Sequence, residues 1–145
     1  MHFVDAKSIL SAKNGMNIYR GCTHGCIYCD SRSDCYNMRH DFEDVEVKRN
    51  APELLEKALA SKRRLCMIGT GAMSDPYMHC EEKLRLTRRC LEIIDRHGFG
   101  VTVLTKSDMI LRDADLLCSI NSKAKAVVQM TLTTYDEDLC RILEP

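Results

Sequence analysis

The chain reads as an α/β domain of about four β-α units, whose parallel strands make an open, curved half of a β/α barrel. Three observations carry this reading. Short apolar runs alternate with segments of helical periodicity. Glycines and polar loops follow the runs at the strand ends where α/β proteins place ligands. The 145 residues are 45% hydrophobic and 29% charged, which fits one ordinary globular domain.

Residues 16–20 read as a first short strand that enters a glycine- and cysteine-rich loop. Residues 30–48 are polar and irregular. Asn50 is a helix N-cap candidate, and Pro52 is tolerated in the first turn. Leu54, Leu55, Ala58 and Leu59 recur at helical spacing, and Lys62, Arg63 and Arg64 suit the helix end. Residues 65–69 read as a buried strand closed by Gly69-Thr70-Gly71. Residues 81–97 form one helix with an acidic first turn, Leu84, Leu91 and Ile94 on one face, and Gly98 as its cap. Residues 101–105 are the third strand, followed by a helix over 108–120. Residues 126–131 are the fourth strand, and 135–143 a short helix. A purely parallel sheet that stops here leaves its last strand with an unpaired edge, so residues 1–145 are expected to be one domain truncated at its C-terminal end.

Net charge is formally zero, from 21 basic and 21 acidic residues, so no global field favours nucleic acid or an anionic membrane. A nucleic-acid partner would need a local basic face. Nine cysteines without a secretory leader pattern argue for a reducing, cytoplasmic setting. No apolar segment approaches the ~20 residues that span a bilayer, so no membrane partner is expected.

The loop after the first strand reads Gly21-Cys22-Thr23-His24-Gly25-Cys26-Ile27-Tyr28-Cys29, a Cys-x3-Cys-x2-Cys spacing. An iron–sulfur cube takes a thiolate at each iron, normally from four cysteines. Three thiolates in one loop leave one iron open, and an open metal position marks a site that binds a further ligand. Gly21 and Gly25 allow backbone amides to approach an anionic cluster, and Tyr28 can pack beside a bound ligand. Two other readings stand beside cluster ligation. One is a structural zinc site completed by His24 or Cys35, the other three unrelated buried thiols.

Cys22, Cys26 and Cys29, with Tyr28 inside the last interval, resemble the signature of the radical S-adenosylmethionine (SAM) superfamily. More narrowly, Tyr19-Arg20-Gly21-Cys22, Ser74-Asp75-Pro76-Tyr77, the Glu81-led helix, Thr105-Lys106-Ser107 and Leu143-Glu144-Pro145 resemble the spore photoproduct lyase-like group, often labelled DNA repair photolyases. The resemblance implies that residues 1–145 are a radical SAM core domain, the N-terminal portion of a partial TIM-like barrel. It implies that Cys22, Cys26 and Cys29 hold a 4Fe-4S cluster whose open iron is chelated by SAM. Such an enzyme cleaves SAM reductively to a 5′-deoxyadenosyl radical, which abstracts hydrogen from substrate. The substrate is unassigned; lyase-like DNA-lesion repair is the activity the group suggests. A flavodoxin- or ferredoxin-type donor would supply the electron.

The same resemblance sets the amino group of SAM at the backbone of Gly69, Thr70 and Gly71, and its carboxylate at Lys106. An ordinary glycine-rich βα loop and a solvated lysine are the alternatives. Asp75 is either ligand-positioning or a turn cap. Thr131 and Thr133 end the fourth strand on alternate positions and face one side, as ribose contacts or simply as β-formers. Cys66, Cys90, Cys118 and Cys140 read as structural or core residues. Cys35 and Cys80 lie in loops near the expected site and are candidate redox thiols. His40, His79 and His97 show no ligand spacing. Two departures from the lyases concern repair chemistry. Asp30 stands where they carry a tyrosine, and Ala72 and Met73 stand where they carry a hydrogen-donating cysteine.

Overall fold

A computed structural model describes residues 1–145, beginning with a small sheet that the sequence reading did not contain. His2–Val4 (β1), Tyr19–Arg20 (β2) and Glu46–Lys48 (β3) pair in the order β1-β3-β2, with β1 parallel and β2 antiparallel to β3. Residues 30–48 are therefore not wholly irregular. Val45 and Val47 are buried while Glu46 and Lys48 between and beyond them are partly exposed, the period-2 alternation of a strand.

The second sheet is purely parallel, in the order β4-β5-β6: Met67–Thr70 (β4), Gly100–Thr105 (β5) and Ala126–Met130 (β6). The strand expected over 16–20 does run beside β4, but through one parallel bridge between Gly15 and Gly69 rather than a ladder. Met16 donates to the Gly69 carbonyl at 2.6 Å, and Gly69 donates to that of Asn14 at 3.1 Å. Only Tyr19 and Arg20 of that stretch lie in a ladder, and they pair with β3. The result is an open mixed α/β fold; β6 pairs on one side only, and no barrel closes.

Ala51–Ser61 (α1), Glu81–Leu84 (α2), Leu86–His97 (α3), Ala114–Lys123 (α4) and Glu137–Leu143 (α5) complete the fold. α1 packs on α3 and α3 on α4, while α3 and α4 also meet the parallel sheet. Their apolar stripes bury Leu55, Leu59, Leu91, Ile94 and Ile120, which join Ile68, Val101 and Val103 of the strands in one core. Cys90 belongs to this core, as expected, but Cys118 is on the exposed side of α4 and is no core filler.

Three local expectations are corrected. Asn50 precedes α1 but makes no cap bond with its side chain; that amide instead brackets Ala6, taking its N–H and donating to its carbonyl, both at 2.9 Å. The helix over 81–97 is broken at Arg85, which takes a left-handed φ of 51°. The helix over 108–120 opens as a 3-10 turn at Asp108–Asp113 before α4. Gly98 does cap α3, with φ 71° and its N–H on the Asp95 carbonyl.

Candidate cofactor site

Four chain segments that leave strand ends converge on one cavity of about 320 Å³. Cys22, Cys26, Tyr28 and Cys29 come from the loop after β2, Gly71 and Asp75 from the loop after β4, Lys106 from the end of β5, and Thr131 from the residue just beyond β6. A cavity of this size at the strand C-termini is where open α/β sheets bind small ligands. Gly69 and Thr70 do not line it. Gly69 lies inside β4, where its carbonyl accepts from Met16, and Thr70 is buried. Of the three backbone positions expected to meet the cofactor, the cavity reaches Gly71 alone.

The thiol loop is fixed from both ends. Cys22 donates its N–H to the Phe42 carbonyl at 3.0 Å, and Ile27 donates to the Leu143 carbonyl at 3.0 Å. Gly21 and Gly25 both have positive φ, as the spacing suggested. Cys26 is buried, and Cys22 and Cys29 are half-buried. Burial pushes the Cys22 thiol up, opposed by the nearby backbone amides of His24 and Asp75. Such amides are the cradle an anionic sulfur cluster needs.

The donor set discriminates between metals. Only His2, His40 and Glu46 bring three His, Cys or acidic ligand atoms within 4.8 Å of one another. The three loop thiols, alone or with His24 or Cys35, are thus not gathered about a single-ion position. Zinc, with Zn–S bonds near 2.3 Å, would draw thiolates to roughly 3.8 Å from each other. A cube spreads them, because each is bound to a different iron. The residues present fit a cluster better than a zinc ion. His24 is committed elsewhere: its Nε2 lies 3.2 Å from Asp75 Oδ2, though misaligned for a hydrogen bond.

Asp75 caps its own turn, the second of the two roles the sequence offered, and reaches across to the end of β5. Its carboxylate accepts from the Tyr77 amide at 2.8 Å, the Thr105 hydroxyl at 2.6 Å and the Lys106 amide at 2.9 Å. Burial works against its ionisation, but the His24 contact and these hydrogen bonds outweigh it and hold the carboxyl below its ordinary range. It ties the loop after β4 to the end of β5 and thereby places Lys106.

Lys106 Nζ lies 2.6 Å from Glu144 and 2.8 Å from the Tyr28 hydroxyl, and burial, which disfavours its charge, is overcome by contacts with the Cys26 sulfur, Glu144 and Tyr28. Tyr28 also bonds Glu144 and Thr133, and Thr133 donates to Glu144 at 2.8 Å. Burial raises the Glu144 pKa, but Lys106, Tyr28 and Thr133 reverse this and bring it down to about 2. Glu144 is the site residue that the sequence reading missed as a contact; its presence in the Leu143-Glu144-Pro145 motif was the available signal. Thr133 lies in this cluster and Thr131 on the cavity wall, both beyond β6 rather than within it. Cys35 is exposed. Cys80 packs against the core instead of lining the cavity, and burial with the nearby Glu81 pushes its thiol up to about 11, which suits a structural rather than a reactive cysteine.

An open parallel α/β sheet thus carries three separated thiols and a lysine at its strand ends, a donor set that fits a cluster-type cofactor. The chain belongs to the Radical SAM superfamily, which matches residues 16–145. It is 33% identical over 144 residues to an uncharacterized protein of Methanocaldococcus jannaschii, covering 98% of this chain and 52% of that protein. It is 29% identical over 137 residues to an uncharacterized protein of Mycobacterium tuberculosis (strain ATCC 25618 / H37Rv), covering 89% of this chain and 40% of that protein. An uncharacterized protein of Acidianus two-tailed virus is 25% identical over 142 residues, covering 90% and 45% respectively. The chain thus spans about half the length of the curated relatives it matches. No solved structure matches it significantly. The superfamily typically uses a 4Fe-4S cluster and SAM, which agrees with the donor set. No helix is long and apolar enough to cross a membrane.

Proposed function

We propose that this chain forms the cluster- and SAM-binding face of a radical SAM enzyme of the spore photoproduct lyase-like group, with Cys22, Cys26 and Cys29 as the cluster ligands. One observation carries the reading: three thiols too widely spaced for a single ion share a cavity with a lysine. When bound, the cluster and SAM supply reductive cleavage of a sulfonium bond and hydrogen abstraction from substrate.

The chain's own groups bind and orient. Lys106 offers the cation for a carboxylate, held in place by Asp75 behind it and by Glu144 and Tyr28 beside it. Gly71 would give close backbone approach at the cavity wall, and Thr131, which lines the same cavity, would offer its hydroxyl to the ribose. Ala72 and Met73 line the cavity where the group's lyases carry their hydrogen-donating cysteine. The subgroup motifs therefore support SAM-initiated hydrogen abstraction with a lyase-like outcome, while repair of a thymine dimer lacks its donor thiol. A flavodoxin- or ferredoxin-type protein is the electron source in this proposal.

Anaerobic reconstitution with iron and sulfide is expected to give a brown protein with about four irons per chain. Reduction should yield an EPR signal that changes when SAM is added, followed by release of 5′-deoxyadenosine. Zinc bound by the loop thiolates in place of iron, with no EPR signal, would sink the reading. A cluster with a SAM-responsive signal but no 5′-deoxyadenosine would mark a binding-competent, non-catalytic chain.

A further inference from the structure

We propose that His2, His40 and Glu46 form a second metal site, separate from the cysteine loop, that takes one divalent transition-metal ion of the zinc type. One ring nitrogen from each histidine and one Glu46 carboxylate oxygen all lie within 4.8 Å of one another. The three donors come from separate parts of the chain: His2 from β1, Glu46 from β3 directly opposite it in the parallel ladder, and His40 from the loop that enters β3. The two imidazoles meet edge to face, with centroids 4.9 Å apart and planes at 87°.

Each ring is already held through Nδ1. His2 Nδ1 is 2.9 Å from Asp44 Oδ2, and His40 Nδ1 is 3.0 Å from the Asp41 carbonyl. A histidine whose Nδ1–H is bound by a carboxylate or carbonyl presents Nε2 as a lone pair, which is how metal-ligating histidines are oriented. His40 Nε2 is buried without any hydrogen-bond partner and lies 4.0 Å from Glu46 Oε2. An orphaned buried nitrogen is costly, and a cation between it and the carboxylate would satisfy both.

No lysine or arginine lies within ion-pair distance of Glu46; Lys48, two residues on along β3, attracts it only from farther away. Arg20, its cross-strand neighbour on β2, gives its guanidinium to the carbonyls of Tyr36 and Asn37 instead, and His40 is the one basic group within ion-pair distance of Glu46. Asp44 is engaged by His2 and by the Met1 amine. Two imidazoles and one carboxylate are a zinc donor set that leaves a fourth position for water. The ion would clamp β1, the loop through His40 and β3 together. That loop also carries Phe42, whose carbonyl holds the Cys22 amide, so the clamp would steady the cysteine loop as well.

The test is zinc binding by untagged, cluster-reconstituted protein, read by metal analysis after equilibrium dialysis. We expect one zinc per chain beside the iron, a higher Tm with zinc, and at least about 10-fold weaker zinc binding in His40→Ala and Glu46→Gln with iron content unchanged. Asp44→Asn should weaken zinc about 10-fold by freeing the His2 ring. Cobalt in place of zinc should show ligand-field bands without a thiolate charge-transfer band. Absence of zinc beyond the cluster, zinc retained undiminished in both variants, or a thiolate band from cobalt would each overturn the proposal. Should His40→Ala fail to fold, Glu46→Gln, which keeps side-chain volume, and the cobalt spectrum of the unaltered protein decide.

Discussion

The Lys106 ammonium is shared between the Tyr28 hydroxyl and the Glu144 carboxylate, with the Cys26 sulfur adding to the attraction on its charge. That arrangement positions a charge without spending it on a single partner, so a ligand carboxylate can be received by exchange. Replacing Lys106 with methionine keeps much of the stem and removes the charge. A charge-assisted hydrogen bond contributes about 1.5–3 kcal/mol, so SAM affinity should fall about 10- to 100-fold while the iron content stays the same. Calorimetric titration of SAM into the reconstituted protein measures this; an unchanged affinity would move the carboxylate site elsewhere. Gly71 sets a steric limit in the same cavity. It has φ 97°, and a Cβ there would fall inside the Leu104 carbonyl. Gly71→Ala should therefore cost well over 2 kcal/mol, with loss of soluble protein or of cluster loading. Gly98 also has positive φ but meets nothing within 4 Å, so Gly98→Ala should cost only about 1–2 kcal/mol in a denaturant melt.

The break between α2 and α3 has its cause in one buried carboxylate. Glu81, on the first turn of α2, accepts from the Leu86 amide and the Thr87 amide at 3.1 Å each, so it caps α3. It also takes the Tyr19 hydroxyl and Arg112 at 2.9 Å, and Arg112 continues to Asp113, which Arg88 meets at 2.8 Å. Burial opposes the charge on Asp113, but Arg112 and Arg88 prevail and hold its pKa below the usual carboxylate range. The sign follows: the unfolded chain takes up the proton first, so stability from this pair is full above about pH 4 and drains as pH falls through the folded value. Asp113→Asn should cost about 2–3 kcal/mol at pH 7, with both arginines partly screened by water, and should flatten the acid limb of stability below about pH 4. Urea midpoints against pH for the two proteins test it; parallel acid limbs would rule the pair out as the cause. This network also shows where reading a sequence stops. The alternation of β4, β5 and β6 with helices is local periodicity, and the Cys22-Cys26-Cys29 loop is a local spacing, so both are legible. The Glu81 carboxylate that caps α3 is held by Arg112, 31 positions on, and β1 pairs with β3 across 44 positions through strands of three residues. No window along the chain contains those partners. Glu144 joins Lys106 and Tyr28 in the same way, by topology alone.

As a whole, the molecule is covered unevenly. α1, α3 and α4 shield one side of the core, whereas β6 offers an unpaired parallel edge with Val128 and Met130 exposed. Leu132, Tyr135, Leu139 and Ile142, in the segment after β6 and the last helix, are exposed as well, Tyr135 at 97%. The last helix is tied down at its end, where Leu143 accepts from Ile27 and Glu144 meets Lys106. An uncovered strand edge flanked by apolar side chains is a template for pairing with another chain. The 145-residue chain is therefore expected to self-associate over about 1–100 μM, with its weight-average mass rising in sedimentation equilibrium. Charge on the edge opposes strand addition, so the double variant Val128→Lys with Met130→Lys should return the chain to monomer without altering far-UV circular dichroism or iron content. Because both side chains are already exposed, the change costs the core little. A wild-type chain that stays monomeric throughout, or a double variant that associates as before, would show that the β6 edge is not the sticky surface.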